Sequence, residues 1–256
     1  MTMIVDNFQA VHARIAAACA ACGRDPASVR LLAVSKTFGP DAVIEAMAAG
    51  QRMFGENYIQ EGVEKILAVR GWDADGLPLS SARHSSGLPS PPSAESLSSP
   101  PEWHCIGPIQ SNKTRLVAEN FDWVQSVDRL KIAQRLSEQR PEHLPPLQVC
   151  LQVNIDGGAT KSGVSPQDAL ALVKEVARLP RLQVRGIMSI PESAIDFVAA
   201  CAVHKRAADL FDEINAAGVL PRAMDALSMG MTADLEAAIH AGSTMVRVGT
   251  AVFGKR

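Results

Sequence analysis

The sequence predicts an α/β protein: a single (β/α)8 TIM barrel with one extra helix at the N-terminus. Three observations carry that expectation. Eight short runs that read as strands recur along the 256-residue chain. Helical patterns with start and stop signals separate them, which implies parallel pairing and right-handed crossovers. Setting aside a Ser/Pro/Gly-rich stretch at 76–101 leaves about 230 residues, enough for one lean barrel of the roughly 250-residue class. The competing architecture, a doubly wound open sheet, should show G-x-G-x-x-G after its first strand. Here that turn reads Ser35-Lys36-Thr37-Phe38-Gly39, so the barrel is favoured.

The elements follow in order. An amphipathic helix is expected over 7–21, ahead of the first strand at 29–35. Inside it Cys19 and Cys22 form a lone C-x-x-C, read as small apolar helix residues because no redox or zinc context follows. Asp41 is expected to cap a helix that Gly50 ends; after the second strand, at 51–54, Asn57 opens YIQEGVEKIL. The stretch at 76–101, GLPLSSARHSSGLPSPPSAESLSSPP, has almost no aliphatic periodicity and cannot bury enough apolar surface to offset its ordering entropy. It is expected to be a disordered insertion. Strands resume at 103–106 and 123–127, and Asp128 opens RLKIAQRLSEQ before Pro141. After a strand at 148–155, Ser165 and Pro166 read as an N-cap and N1 proline, with the helix stopping near Pro180. A strand at 182–190 precedes the long helix FVAACAVHKRAADLFDEINAAG. Strands at 226–229 and 244–248 flank a last helix, ADLEAAIHA, capped by Thr232 and ended by Gly242. The chain, 1–256, reads as one domain.

Composition narrows the function. Lys and Arg number 25 against 27 Asp and Glu, a balance that gives no support to a nucleic-acid or anionic-membrane partner. No apolar run reaches the eighteen or so residues of a membrane span, and the N-terminus lacks a signal-peptide pattern. Five cysteines do not make a disulfide framework. The expected location is cytoplasmic.

The polar residues collect at the C-terminal ends of the strands, where barrels place their chemistry. Leu32, Val34 and Lys36 share one parity, as do Met245, Arg247 and Gly249, and both sets suit the barrel interior. An inward arginine is costly without an anion or a strong acceptor. The alternative is a structural ion pair with Glu56 or Asp225. Ser228 with Gly230, and Gly249 with Thr250, sit at the ends of strands seven and eight, where many barrels bind phosphate through close backbone approach. A strand-end lysine opposite such a pocket points to pyridoxal 5'-phosphate or to a phosphosugar aldolase.

Taken together, LLAVSKT, GENYIQE, HCIGPIQSNK, NIDGGATKSGV and LSMGMTADLEAAIHAGSTMVRVGTAVFG closely resemble the pyridoxal-phosphate homeostasis proteins, the YggS/PROSC family. The resemblance covers nearly the whole chain apart from the Ser/Pro insertion. It implies a barrel like the N-terminal domain of alanine racemase standing alone, with pyridoxal 5'-phosphate (PLP) as cofactor. It implies Lys36 as the residue forming a Schiff base and Arg247 facing the pyridine nitrogen. Ser228, Gly249 and Thr250 would hold the phosphate, with Asn57 and Met188 bordering the ring, and no metal is implied. The implied role is intracellular homeostasis of PLP (vitamin B6) and of amino and keto acids.

An arginine at the pyridine nitrogen disfavours its protonation, and an unprotonated ring is a poorer electron sink. Racemases of this type work with such an arginine but add a β-rich domain that supplies a tyrosine base. This sequence stops at Arg256 and its one tyrosine is Tyr58. The expectation is therefore a PLP carrier without robust catalysis. A PLP-dependent amino-acid racemase is the alternative, and a Schiff-base aldolase a third reading. Many relatives carry a second lysine two positions after the Schiff-base lysine, where this chain has Phe38. Lys161, near the barrel mouth, reads as a solvated loop charge. The expected partners are PLP and, transiently, apo PLP-dependent enzymes, with the protein itself a monomer.

Overall fold

A computed structural model describes residues 3–71, 100–158 and 161–254. Among them, eight parallel strands follow one another around a closed barrel: β1 (Arg30–Val34), β2 (Met53–Glu56), β3 (Glu102–Cys105), β4 (Trp123–Val127), β5 (Leu147–Val153), β6 (Leu182–Ser189), β7 (Ala226–Ser228) and β8 (Met245–Val248). The barrel closes where β1 pairs with β8, Leu32 opposite Arg247. Around it run α1 (Met3–Ala21), α2 (Pro40–Ala48), α3 (Ile59–Arg70), α4 (Thr114–Asn120), α5 (Leu130–Gln139), α6 (Pro166–Val176), α7 (Phe197–Ala216), α8 (Leu235–His240) and α9 (Thr250–Phe253). The expected disordered stretch at 76–101 lies outside the described residues except for Pro100 and Pro101, which lead into β3.

Strand parity sorts the core into two layers. Leu31, Ala33, Val246 and Val248 join the large apolar layer between barrel and helices. Leu32, Val34, Ile106 and Met245 pack together inside the barrel, and Trp123, Cys150, Met188 and Ala226 form a second interior cluster. One irregularity redirects this alternation. Val149 pairs with Val184 but Cys150 pairs with Gly186, so Arg185 is an extra residue in β6. Leu182 and Val184 face the helices, whereas two residues further along the same parity Gly186 closes on β7; a Cβ there would lie 1.6 Å from the Ala226 oxygen. The bulge turns Met188 inward; Arg185 faces the N-terminal end of the barrel interior, over the Trp123 ring at 4.9 Å and paired with Asp225 at 2.6 Å.

The helix starts expected from the sequence are partly corrected. Asp41 lies in the first turn of α2, not at its cap, which is Gly39; Pro40 takes N1, where its fixed φ and missing N–H fit. Asn57 precedes Tyr58, the N-cap of α3, and Arg129 rather than Asp128 occupies the N-cap position of α5, without a side-chain capping bond. Thr232 is likewise two residues early, since Asp234 caps α8. Helices α4 and α9 were not signalled by the sequence patterns. Ser165 does cap α6, accepting a hydrogen bond from the Asp168 N–H at 3.2 Å. Ser165→Ala is expected to cost about 1 kcal/mol, lowering Tm by about 2–4 °C for a domain of this size. Thermal unfolding followed by circular dichroism measures it, and co-melting with wild type would discount the cap.

The extra N-terminal helix bears on the barrel mouth. Helix α1 packs against α2, α8 and α9. Its Arg14 guanidinium pairs with Glu236 at 2.8 Å and donates to the Thr232 carbonyl at 2.9 Å. Asn7 donates to the Val252 carbonyl at 2.9 Å. The helix thereby ties down the loop that follows β7 and the short helix α9 that follows β8.

Candidate functional site

A cavity of about 630 Å³ opens at the C-terminal ends of the strands. Lys36 enters it from the end of β1. The turn that carries this lysine is closed by the Phe38 N–H donating to the Ser35 carbonyl at 3.1 Å. Thr37, at its third position, has φ of 66°, a conformation that costs a threonine energy unless its surroundings impose it. The surroundings are a buried polar cluster. Glu61 accepts from the Thr37 N–H at 2.5 Å, while Lys65 donates to the Ser35 carbonyl at 2.8 Å and to Glu56 at 2.6 Å. Ser35 completes the set by donating its hydroxyl to Glu56 at 2.6 Å. Burial pushes the Glu56 carboxyl up from its ordinary value, against the pull of Lys65 and Ser35. Lys36 itself is exposed to the cavity, with no hydrogen bond or ion pair among the described residues.

Arg247 forms the opposite side. It is 4% exposed and donates to the Ser228 hydroxyl at 2.8 Å and to the Ser189 carbonyl at 2.9 Å. Neither ion pair considered from the sequence forms, for Glu56 pairs with Lys65 and Asp225 with Arg185. Burial lowers the guanidinium to about 10, which leaves it a cation at neutral pH. Beside it lie Gly249 and Thr250; a Cβ at Gly249 would approach the Val34 oxygen to 3.1 Å, so a side chain there would crowd the turn after β1.

The cavity brings together five of the seven residues expected from the sequence: Lys36, Asn57, Arg247, Gly249 and Thr250. It does not bring in the other two. Met188 is fully buried among Trp123, Cys150 and Ala226, where the bulge in β6 sends it. Ser228 is fully buried beneath Arg247, its hydroxyl donating to Gln125 at 2.7 Å. The sequence patterns missed Met231, Thr232 and Ala233, which line the cavity from the loop after β7, and Ile106 and Gly107 after β3. The Met-Gly-Met-Thr run carried the signal, but Thr232 was read only as a helix cap. Gly107 is required by close approach, since a Cβ there would lie 2.0 Å from the Asn57 oxygen.

Lys161 also lines the cavity, held by an ion pair with Asp156 at 2.6 Å. That pair and the Glu192 N–H outweigh burial and hold the Asp156 carboxyl below its ordinary value. Phe38 packs against Phe253, ring centroids 5.2 Å apart and the planes tilted by 30°, and forms an apolar wall. Lysine and arginine are the only titratable types among the described lining residues. The donor set is thus an amine, a buried guanidinium, threonine hydroxyls and glycine-flanked backbone. It fits a flat aldehyde that carries a phosphate, with cations on both sides of the cavity.

The model of the alanine racemase N-terminal domain matches residues 7–256. The pyridoxal phosphate homeostasis protein of Pseudomonas aeruginosa is 51% identical over 256 residues, covering 100% of this chain and 97% of its own. That of Vibrio cholerae serotype O1 is 50% identical, with 100% and 98% covered. PipY of Synechococcus elongatus PCC7942, solved with PLP bound, superposes at a TM-score of 0.71 with 33% identity, over 94% of this chain and 100% of PipY. With its barrel, its strand-end lysine and relatives half identical along its full length, the chain belongs to the alanine racemase N-terminal domain family, among the pyridoxal phosphate homeostasis proteins.

Proposed function

We propose that this protein binds pyridoxal 5'-phosphate covalently at Lys36 and serves the intracellular homeostasis of PLP rather than turning over a substrate. The observation that carries the reading is one cavity with the free amine of Lys36 on one side and the buried Arg247 cation on the other. When bound, PLP supplies an aldehyde that condenses reversibly with an amine, together with a phosphate dianion. Lys36 supplies that amine. Arg247 faces the pyridine nitrogen and disfavours its protonation, since two cations would meet in a poorly solvated place. Thr250, Gly249 and Thr232 take the phosphate through hydroxyl and backbone donors, and Asn57 and Phe38 border the ring. The curated relatives and PipY support this assignment through their names and the PLP bound to PipY.

The carrier reading rests on what surrounds Lys36. Among the described lining residues there is no carboxylate, histidine, cysteine or tyrosine to act as a second proton-transfer group. Tyr58 is 57% exposed and lies outside the lining. The proposed place of action is the cytoplasm, as one PLP-binding domain, with apo-enzymes as transient acceptors; no helix among the described residues is long and apolar enough to cross a membrane. The deciding experiment incubates PLP-loaded protein with L-amino acids in deuterium oxide. The expected result is no sustained deuterium at the α-carbon. Exchange at an enzyme-like rate would establish the racemase alternative instead.

A further inference from the structure

The barrel interior holds a polar chain that neither PLP chemistry nor packing by itself requires. It starts at Glu102, at the N-terminal end of β3, and ends at Arg247 in the cavity. Glu102 Oε1 lies 2.8 Å from His104 Nε2, and His104 Nδ1 lies 2.9 Å from Gln125 Nε2. Gln125 Oε1 accepts from the Ser228 hydroxyl at 2.7 Å, and Ser228 Oγ accepts from Arg247 Nη1 at 2.8 Å. His104, Gln125 and Ser228 are fully buried, and the imidazole stacks on Trp123 with ring centroids 5.1 Å apart.

The direction of every hydrogen bond in this chain is determined. Burial tends to raise the Glu102 carboxyl, but the hydrogen bond from His104 and the charge of Arg30 prevail and hold it below its ordinary value. It is therefore ionised at neutral pH and only accepts, so His104 Nε2 carries the hydrogen. Burial also lowers the His104 imidazole, which keeps it neutral and leaves Nδ1 as an acceptor. The Gln125 amide must then point its NH2 at Nδ1, with its second hydrogen toward Met245 Sδ at 3.1 Å, and its oxygen at Ser228. The one hydroxyl hydrogen of Ser228 is committed to Gln125. What remains on Ser228 Oγ is lone pairs, suited to the Arg247 N–H and unable to donate to a phosphate dianion.

We propose that Ser228, Gln125 and His104 are positioning residues that orient Arg247 toward the pyridine nitrogen of bound PLP, and that Ser228 takes no part in holding the phosphate. This rests on the reading of the cavity given above. A buried guanidinium on an apolar floor would have many orientations of similar energy. A chain in which every donor has one acceptor, ending on a carboxylate, selects one of them.

The test compares PLP with pyridoxal, which lacks the phosphate, as ligands of the full-length protein. Ser228→Ala is expected to weaken both by the same factor, about tenfold, because a buried donor loses its acceptor. It should also move the visible band of bound PLP. Gln125→Leu, which does not touch the cavity, should reproduce the band shift, and Gln125→Glu, whose buried protonated carboxyl can donate to His104 Nδ1 and keep an acceptor facing Ser228, should recover most of it. Glu102→Gln, at the partly exposed end of the chain, gives a smaller shift in the same direction without disturbing the core. Circular dichroism checks that each variant is folded. A loss confined to PLP would make Ser228 a phosphate ligand and overturn the proposal, as would unchanged binding and spectra in all four variants. Wild-type protein that takes up neither ligand would overturn the cavity reading itself, and this assignment with it.

Discussion

Lys36→Ala is expected to abolish the visible absorption band of PLP-loaded protein and to leave no borohydride-reducible linkage. The cause is local. Lys36 presents an amine to the cavity free of hydrogen bonds or ion pairs among the described residues, so nothing restrains it from reaching a bound aldehyde. For the same reason the substitution removes no contact that supports the fold, and stability should change by no more than about 0.5 kcal/mol. Loss of binding with unchanged thermal unfolding is therefore the expected pair of results. Lys161, the second lysine lining the cavity, is engaged with Asp156 at 2.6 Å and is not expected to substitute. Absorption spectra and peptide mapping after borohydride reduction make the measurement. A reducible adduct persisting in Lys36→Ala, on Lys161 or elsewhere, would show that the attachment site is wrong.

The largest expected effect on stability is that of Lys65→Ala. Lys65 is 3% exposed and its partner Glu56 is fully buried, with their charged atoms 2.6 Å apart. Removing one member of such a pair leaves the other charge uncompensated, typically at a cost of about 3–5 kcal/mol. The pH dependence follows from Glu56. Burial already raises its carboxyl above the ordinary value in the folded protein, with Lys65 pulling it down. Without Lys65 it rises further, so the folded variant binds a proton that the unfolded chain has released. Stability then falls as pH rises through the gap between the unfolded and folded values and recovers as pH falls back through it. The difference between variant and wild type should be smaller at pH 5 than at pH 8 in urea unfolding. A deficit that stayed constant or grew on acidification would contradict an ion-pair origin. The same substitution loosens the turn bearing Lys36, because the Lys65 ammonium also binds the Ser35 carbonyl.

Local pattern made the scaffold legible. Short β-rich runs separated by helical periodicity located all eight strands to within a few residues, and two-residue parity placed Lys36 and Arg247 toward the same interior. That inference needs only the pleat of a strand and the cost of an unpaired buried charge. It failed where geometry departs from regularity. The extra residue at Arg185 breaks the alternation of β6 and sends Met188 into the core beneath the cavity, an outcome decided by pairing with β5 and β7. Helix starts at Asp41, Asn57, Asp128 and Thr232 were misplaced because any short polar residue before an apolar run looks like a cap. Which of them meets the first free N–H groups depends on the path of the preceding loop.

The sequence by itself determined the architecture, the two cations that line the cavity and the family, because periodicity, residue type and the shared motifs are local properties of the chain. The tertiary structure alone decided what those cations touch. Glu56 and Asp225 were candidates for Arg247, yet α3 offers Lys65 to the first and the bulge in β6 offers Arg185 to the second. Arg247 is left to Ser228 and to a chain that draws on β3, β4, β7 and β8, strands as far as 145 positions apart in sequence between Glu102 and Arg247. Only barrel closure brings those side chains into hydrogen-bonding distance.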